Sequence, residues 1–245
     1  MEPLSSEQEV RAYKRLVELH HQSPVPPKES LANLGLFLNR ASMSRILFMH
    51  NLYAKIVHTH GIVVEFGVRW GQNLALFSTF RTMYEPHNFS RKIVGFDTFE
   101  GFPSIATQDG TDQGCQVGAL SVTRNYESYL EDLLTTHEQL APRAHLKKFE
   151  LVKGDVQNTL SVYLDSHPET IIALAYFDMD LYEPTKFCLE KIKGHLTKGS
   201  VIGFDELMLA ELPGETVALK ELWGLSKYRI CRDPISNYQS YFIVE

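Results

Sequence analysis

Hydrophobic positions along this chain change their period near residue 60. Before it they recur at helical spacing. Ser5–Leu19 is amphipathic with a polar majority, and Ser42–His58 brings Ile46, Leu47, Leu52, Ile56 and Val57 to one face. Residues 22–30 between them hold three prolines and are expected to form an extended linker. After residue 60, short apolar runs alternate with helical segments. Ile62–Phe66, Lys92–Asp97, Glu150–Lys153, Thr170–Phe177 and Gly199–Phe204 are predicted strands. Helices are expected over Gly71–Tyr84, Arg124–Gln139, Val156–Leu164, Pro184–Leu196 and Gly214–Trp223. Tyr228–Cys231 and Ser240–Val244 are joined by a connection too short for a crossover helix, so they are expected to run antiparallel.

Alternating strands and helices with apolar central strands specify an α/β fold: a doubly wound, mostly parallel sheet closed by a C-terminal antiparallel hairpin. Class I S-adenosylmethionine (SAM)-dependent methyltransferases have this Rossmann-like sheet, whereas nicotinamide-binding sheets are typically parallel throughout. Residues 1–60 are read as an N-terminal helical extension and 61–245 as the main domain. Its insertion, 98–148, carries a helix and a polar loop at Thr107–Gly118 and is expected to wall or cover a substrate site.

Composition narrows the function. A net charge of −6 without a basic cluster argues against nucleic acid. No apolar run reaches membrane-spanning length, and Met1–Val10 lacks the pattern of a secretory signal. The three cysteines, Cys115, Cys188 and Cys231, are dispersed, which argues for a reducing compartment; a cytoplasmic enzyme is expected. His20-His21 and His58-Thr59-His60 lack a third metal ligand and read as ordinary polar residues.

Candidate chemistry lies where the strands end. Glu65-Phe66-Gly67-Val68-Arg69-Trp70-Gly71 combines an acid with two glycines: Gly67 allows a sharp turn against a ligand, and Gly71 opens the next helix. The spacing differs from the Gly-x-Gly-x-x-Gly that holds a pyrophosphate. An acid here suits the cationic SAM and would repel a dinucleotide. Asp97 ends the second strand, where it can accept from ribose hydroxyls, and Asp155 follows the third, where it can bind the adenine amine. Each alone reads equally as a helix cap; together with the glycine turn they point to SAM.

The fourth and fifth strands run into Asp178, Asp180, Asp205 and Glu206. Residues two apart in extended chain face the same way, and neighbouring strands lie about 4.8 Å apart, so these acids can converge. Such repulsion calls for a cation, and all-oxygen ligation favours Mg²⁺, with Ca²⁺ or Mn²⁺ as alternatives. A divalent ion chelating two adjacent hydroxyls would lower the pKa of one, and a carboxylate would take the proton. Tyr126, Tyr129, Trp223, Tyr238 and Tyr241 can stack on a substrate ring but equally suit packing, and Arg69, Trp70 and Arg124 are rim residues.

These segments resemble the macrocin O-methyltransferase-like family, whose members methylate sugar hydroxyls on antibiotics or their nucleotide-sugar precursors. Glu65–Gly71 is similar to its Glu-x-Gly-Val-Trp-Arg-Gly turn with Trp and Arg exchanged. Asp97–Pro103 is similar to its Asp-Ser-Phe-x-Gly-x-Pro, and Asp178–Thr185 to its Asp-x-Asp-x-Tyr-Glu-Ser-Thr, the most specific match. Lys198–Glu206 resembles its Gly-Gly-x-x-x-x-Asp-Asp, with Glu206 in place of the second Asp. The resemblance runs from Ser42 to Trp223 and implies metal ligands Asp178, Asp205 and Glu206 and the general base Asp180. It implies SAM contacts from Met43, Glu65, Gly67, Asp97 and Asp155, with the Gly71 turn beside them, and it makes a homo-oligomer the default. The reading is a metal-assisted sugar O-methyltransferase acting on a nucleotide- or natural-product-linked deoxysugar. A catechol-like acceptor, a non-catalytic SAM-fold partner protein and, least of all, a dehydrogenase are the competing readings.

Overall fold

The computed structural model describes residues 6–110, 114–236 and 238–245. The residues of the expected first helix before Ser6, and Thr111, Asp112 and Gln113 of the expected polar loop, lie outside the described residues. The chain divides into two compact units, Met1–Ile46 and Leu47–Glu245, with the boundary inside one helix.

In the N-terminal unit, α1 (Glu7–His21) opens on a capping box: the Ser6 hydroxyl accepts from the Glu9 amide, and the Glu9 carboxylate accepts from the Ser6 amide at 2.7 Å. The expected extended linker instead ends in a short helix, α2 (Pro27–Ser30), continued by a 3₁₀ segment, Leu31–Phe37. Pro27 starts α2 because its fixed φ suits a first helical turn, where its missing N–H costs nothing. α3 (Arg40–Ile56) begins in this unit.

The second unit is a sheet with helices on both faces. Its strands are β1 (Ile62–Phe66), β2 (Ile93–Asp97), β3 (Phe149–Lys153), β4 (Ile172–Phe177), β5 (Leu196–Phe204), β6 (Cys231–Arg232) and β7 (Ser240–Ile243). The order is β3-β2-β1-β4-β5-β7-β6. The first five are parallel, and β7 runs antiparallel to both neighbours, as the sequence pattern predicts. The helices are α4 (Gln72–Tyr84), α5 (Tyr126–Gln139), α6 (Val156–Ser166), α7 (Tyr182–Ile192) and α8 (Gly214–Leu222).

Alternation along each strand divides the core. Val64, Phe66, Phe96, Phe177 and Phe204 pack against α6, α7 and α8. Val63, Ile93, Leu174, Tyr176 and Val201 pack against Phe48, Leu52, Tyr53, Phe77, Leu130 and Leu134 of the opposite layer. Burying one such aromatic or aliphatic side chain is worth about 1.5–3 kcal/mol, so the sheet is held from both sides.

Beneath the amino ends of the strands, Arg91 holds the chain together. It donates to the carbonyls of Ile56 at 3.0 Å and Thr59 at 2.8 Å, to that of Gly61, and to the Glu85 carboxylate at 3.0 and 3.1 Å. Tyr53 donates to the same carboxylate at 2.7 Å. At the opposite edge the ladder runs one rung past the strands: the amides of Gly154, Gly67, Asp178 and Asp205 donate to the carbonyls of Asp97, Phe96, Phe66 and Phe177 at 2.8–3.0 Å. This level edge fixes where the candidate acids emerge.

Candidate active site at the carboxyl edge of the sheet

β1 ends with Glu65 fully buried on the α4 side, its Oε1 accepting from Asn73 Nδ2 at 2.7 Å. The chain then turns at Gly67, φ +88°, and again at Gly71, φ +76°, which immediately precedes α4. Asp97, at the end of β2, binds this turn directly. Its Oδ2 accepts from the amides of Val68 at 2.6 Å and Arg69 at 2.8 Å, and its Oδ1 from Phe99 at 2.5 Å. Expected to face a ribose, Asp97 thus also builds the turn beside it. Asp155 caps α6, accepting from the Gln157 amide at 2.9 Å, so it takes the helix-cap role that its position allows. Met43 lies on α3 within the N-terminal unit and is 40 % exposed.

The insertion reaches this turn through α5. Tyr126 Oη donates to the Trp70 carbonyl at 3.0 Å, and the two rings meet edge to face at 4.8 Å. Tyr129 extends the aromatic patch at 5.6 Å from Tyr126 and is largely exposed. Trp223, by contrast, packs against Phe242 in the core.

Across β4 and β5 stand the remaining acids. Asp180 and Asp205 are buried, at 6 % and 5 % exposure, and Asp178 and Glu206 are half-buried. Asp180 adopts φ +62°, a left-handed conformation rare outside glycine, which must be held by its surroundings. Asp205 Oδ1 accepts from Tyr176 Oη at 2.6 Å and Gln239 Nε2 at 2.8 Å. Burial above all, then a hydrogen bond to Asp180 and the charges of Asp180, Asp205 and Glu215, pushes the Glu206 carboxyl up to about 10.

Glu215, on α8, is a fifth acid that sequence reasoning missed. It is fully buried, its Oε1 accepts from the Met179 amide at 3.3 Å, and its Oε2 has no hydrogen-bond partner. Burial, followed by the charges of Asp180, Asp178 and Asp205, raises its carboxyl well above the usual range. An acid in a first helical turn is ordinary, so its sequence position gave no signal. Asn73, Tyr176 and Gln239 were likewise missed: Asn73 reaches Glu65 across the glycine turn, and Tyr176 and Gln239 support Asp205 from distant segments. Among the described residues, no three His, Cys, Asp or Glu side chains already form a group able to hold a metal ion.

The arrangement separates a glycine turn braced by Asp97, at β1 and β2, from a buried acid cluster at β4 and β5. No family model and no curated protein matches the chain. Solved structures do. A crystal structure of CalS11, a calicheamicin methyltransferase, is 41% identical, with a TM-score of 0.95 over 98% of this chain and 93% of that one. An apo structure of CalS11, described as a TDP-rhamnose 3′-O-methyltransferase of calicheamicin biosynthesis, is 39% identical, with a TM-score of 0.86 over 98% and 95%. The O-methyltransferase NovP, at 18% identity and a TM-score of 0.58 over 82% and 79%, shares the fold. The chain is a SAM-dependent methyltransferase and belongs to the macrocin O-methyltransferase-like family of sugar O-methyltransferases.

Proposed function

We propose that this enzyme methylates a hydroxyl of a nucleotide-linked deoxysugar in natural-product biosynthesis, with a divalent cation at the acid cluster. The observation that carries the chemistry is the burial of Asp180, Asp205 and Glu215 around the half-buried Asp178 and Glu206 at one sheet edge. The similarity to CalS11, the TDP-rhamnose 3′-O-methyltransferase, supports the acceptor class.

The residues fit both groups chemically. Glu65, Gly67, Gly71, Asp97 and Asp155 border the turn where SAM would lie, with Met43 added by the family resemblance. Asp178, Asp205 and Glu206 offer the all-oxygen donors a hard cation such as Mg²⁺ prefers. Glu206 Oε2 and Glu215 Oε2, buried without hydrogen-bond partners, fit a positive charge nearby. When bound, SAM supplies the methyl group and the cation lowers the pKa of a chelated hydroxyl. Asp180 then takes the hydroxyl proton, Tyr176 and Gln239 orient Asp205, and the insertion excludes water. In this reading residues 1–60 are the helical extension and 61–245 the methyl-transferring domain. The enzyme is cytoplasmic and homo-oligomeric. Among the described residues, no helix is long and apolar enough to cross a membrane, and α1 buries none of its residues, leaving Tyr13 exposed for a second copy.

Incubation with SAM and TDP-rhamnose, read by mass spectrometry, tests the reading. The expected result is a sugar heavier by one methyl group, lost with EDTA and restored by Mg²⁺. Undiminished turnover after rigorous metal removal would overturn the cation. Methylation of catechol in preference to the nucleotide sugar would overturn the acceptor class.

A further inference from the structure

α7 begins directly after the acid segment, yet the residue at its cap position cannot serve it. Leu181 makes no side-chain cap hydrogen bond and is buried in the core instead. The missing acceptor comes from the insertion. Asp109 Oδ1 accepts from the Tyr182 amide at 2.5 Å, and Oδ2 accepts from the Ala106 amide at 2.6 Å. Asp109 is 1 % exposed. A carboxylate at this place satisfies an amide that no helical carbonyl can reach and meets the positive end of the helix dipole.

Two close approaches show that three segments are fitted together here. A Cβ on Gly110 would stand 2.6 Å from the Glu211 carbonyl oxygen. A Cβ on Gly214 would stand 2.6 Å from the Tyr182 nitrogen, 2.7 Å from the Asp180 carbonyl oxygen and 2.8 Å from Asp109 Oδ1. The insertion, the Asp180–Tyr182 turn and the start of α8 thus meet without room for one extra carbon. Asp180, at its left-handed φ, lies inside this contact.

We propose that Asp109 is a positioning residue for methyl transfer. By capping α7 from the insertion, it holds the Asp180 turn in its strained form, so that seating the insertion and aiming the proton-accepting carboxylate are one event. The proposal rests on the reading of Asp180 as the base.

The test combines amide hydrogen exchange over 178–185 with steady-state kinetics on SAM and TDP-rhamnose, for Asp109→Ala, Asp109→Asn, Gly214→Ala and Asp180→Asn. In Asp109→Ala, exchange at Tyr182 is expected to accelerate at least about tenfold while β4 is unchanged. Its kcat is expected to fall roughly thirtyfold with the KM for SAM unchanged, the signature of lost alignment rather than lost binding. Asp109→Asn, which keeps one acceptor oxygen, should recover most of kcat. Gly214→Ala wedges a carbon among the Tyr182 amide, the Asp180 carbonyl and the Asp109 carboxylate with Asp109 chemically intact, and should reproduce the alanine phenotype, which covers the case in which Asp109→Ala does not fold. Wild-type exchange at Tyr182 in Asp109→Ala overturns the proposal, and so does a KM for SAM that rises in step with the fall in kcat. An inactive Asp180→Asn beside a fully active Asp109→Ala overturns this proposal alone, whereas a fully active Asp180→Asn overturns the base assignment beneath it. The exchange measurement reads the cap without any acceptor sugar.

Discussion

A Cβ atom on Gly67 would stand 1.9 Å from the carbonyl oxygen of Asp178 and 2.6 Å from its carbonyl carbon. The Gly67 turn and the acid segment therefore touch backbone to backbone, where β1 and β4 run side by side. The two halves of the site share one contact, and only glycine permits it.

Gly67→Ala should consequently damage both halves at once. Forced separation of packed backbone costs about 1–3 kcal/mol, and left-handed φ adds roughly 1–2 kcal/mol for a residue with Cβ. Urea unfolding should show a loss in that combined range, and calorimetry should show SAM binding lost together with turnover. Intact SAM affinity in a stably folded variant would contradict the contact's importance.

Asp180→Asn separates binding from chemistry. The amide cannot accept the hydroxyl proton, so kcat should fall by about 10²–10⁴, while SAM titration by calorimetry gives an unchanged Kd. A variant within a factor of a few of the wild-type rate would remove Asp180 from the role of base.

Metal loading should be visible without any substrate. Adding Mg²⁺ at about a hundred times its Kd should stabilise the EDTA-treated protein by about 2.7 kcal/mol. Glu215→Gln removes the cost of burying this carboxyl among other acids, so the metal-free variant should melt higher than wild type and gain less from the ion. Equal gains in both proteins would place Glu215 outside the cation's reach.

The Arg91 cluster predicts the acid limb of stability. Burial alone would raise the Glu85 carboxyl, but hydrogen bonds from Arg91, Tyr53 and Asn88 and the Arg91 charge bring it below 4.5. A depressed carboxyl contributes stability that is present above the unfolded value and lost as pH falls through the folded one. Urea midpoints should therefore drop below pH 4.5, and Glu85→Gln should make that drop shallower. At pH 7 the same substitution should cost about 1.5–3 kcal/mol, the range for a hydrogen bond to a charged group.

The core strands were legible because both faces are buried, which leaves nearly continuous apolar runs such as Ile172–Phe177. Boundaries were less so. β5 starts at Leu196 rather than Gly199, because the exposed Thr197 and Lys198 extend the strand without an apolar signal. Tyr228 was expected in a strand but stacks on Phe242 at 4.8 Å just before β6 begins at Cys231. The acids at the strand ends were legible as a set, since position along a strand fixes where each emerges. Asp109 and Glu215 were not. Their meaning depends on Tyr182 and Met179, far away in the chain, and no local pattern connects them.

The cap that Asp109 places on α7 bears on how such enzymes can be redesigned. The insertion is an obvious cassette to exchange between relatives when a new acceptor is wanted. Yet its Ala106–Gly110 stretch is stitched to the host's Tyr182 and Gly214. A graft cut at residues 98 and 148 would import a foreign stitch along with the foreign wall. One that keeps the host's residues 98–110 and exchanges only 111–148 would alter the wall and leave the stitch in place.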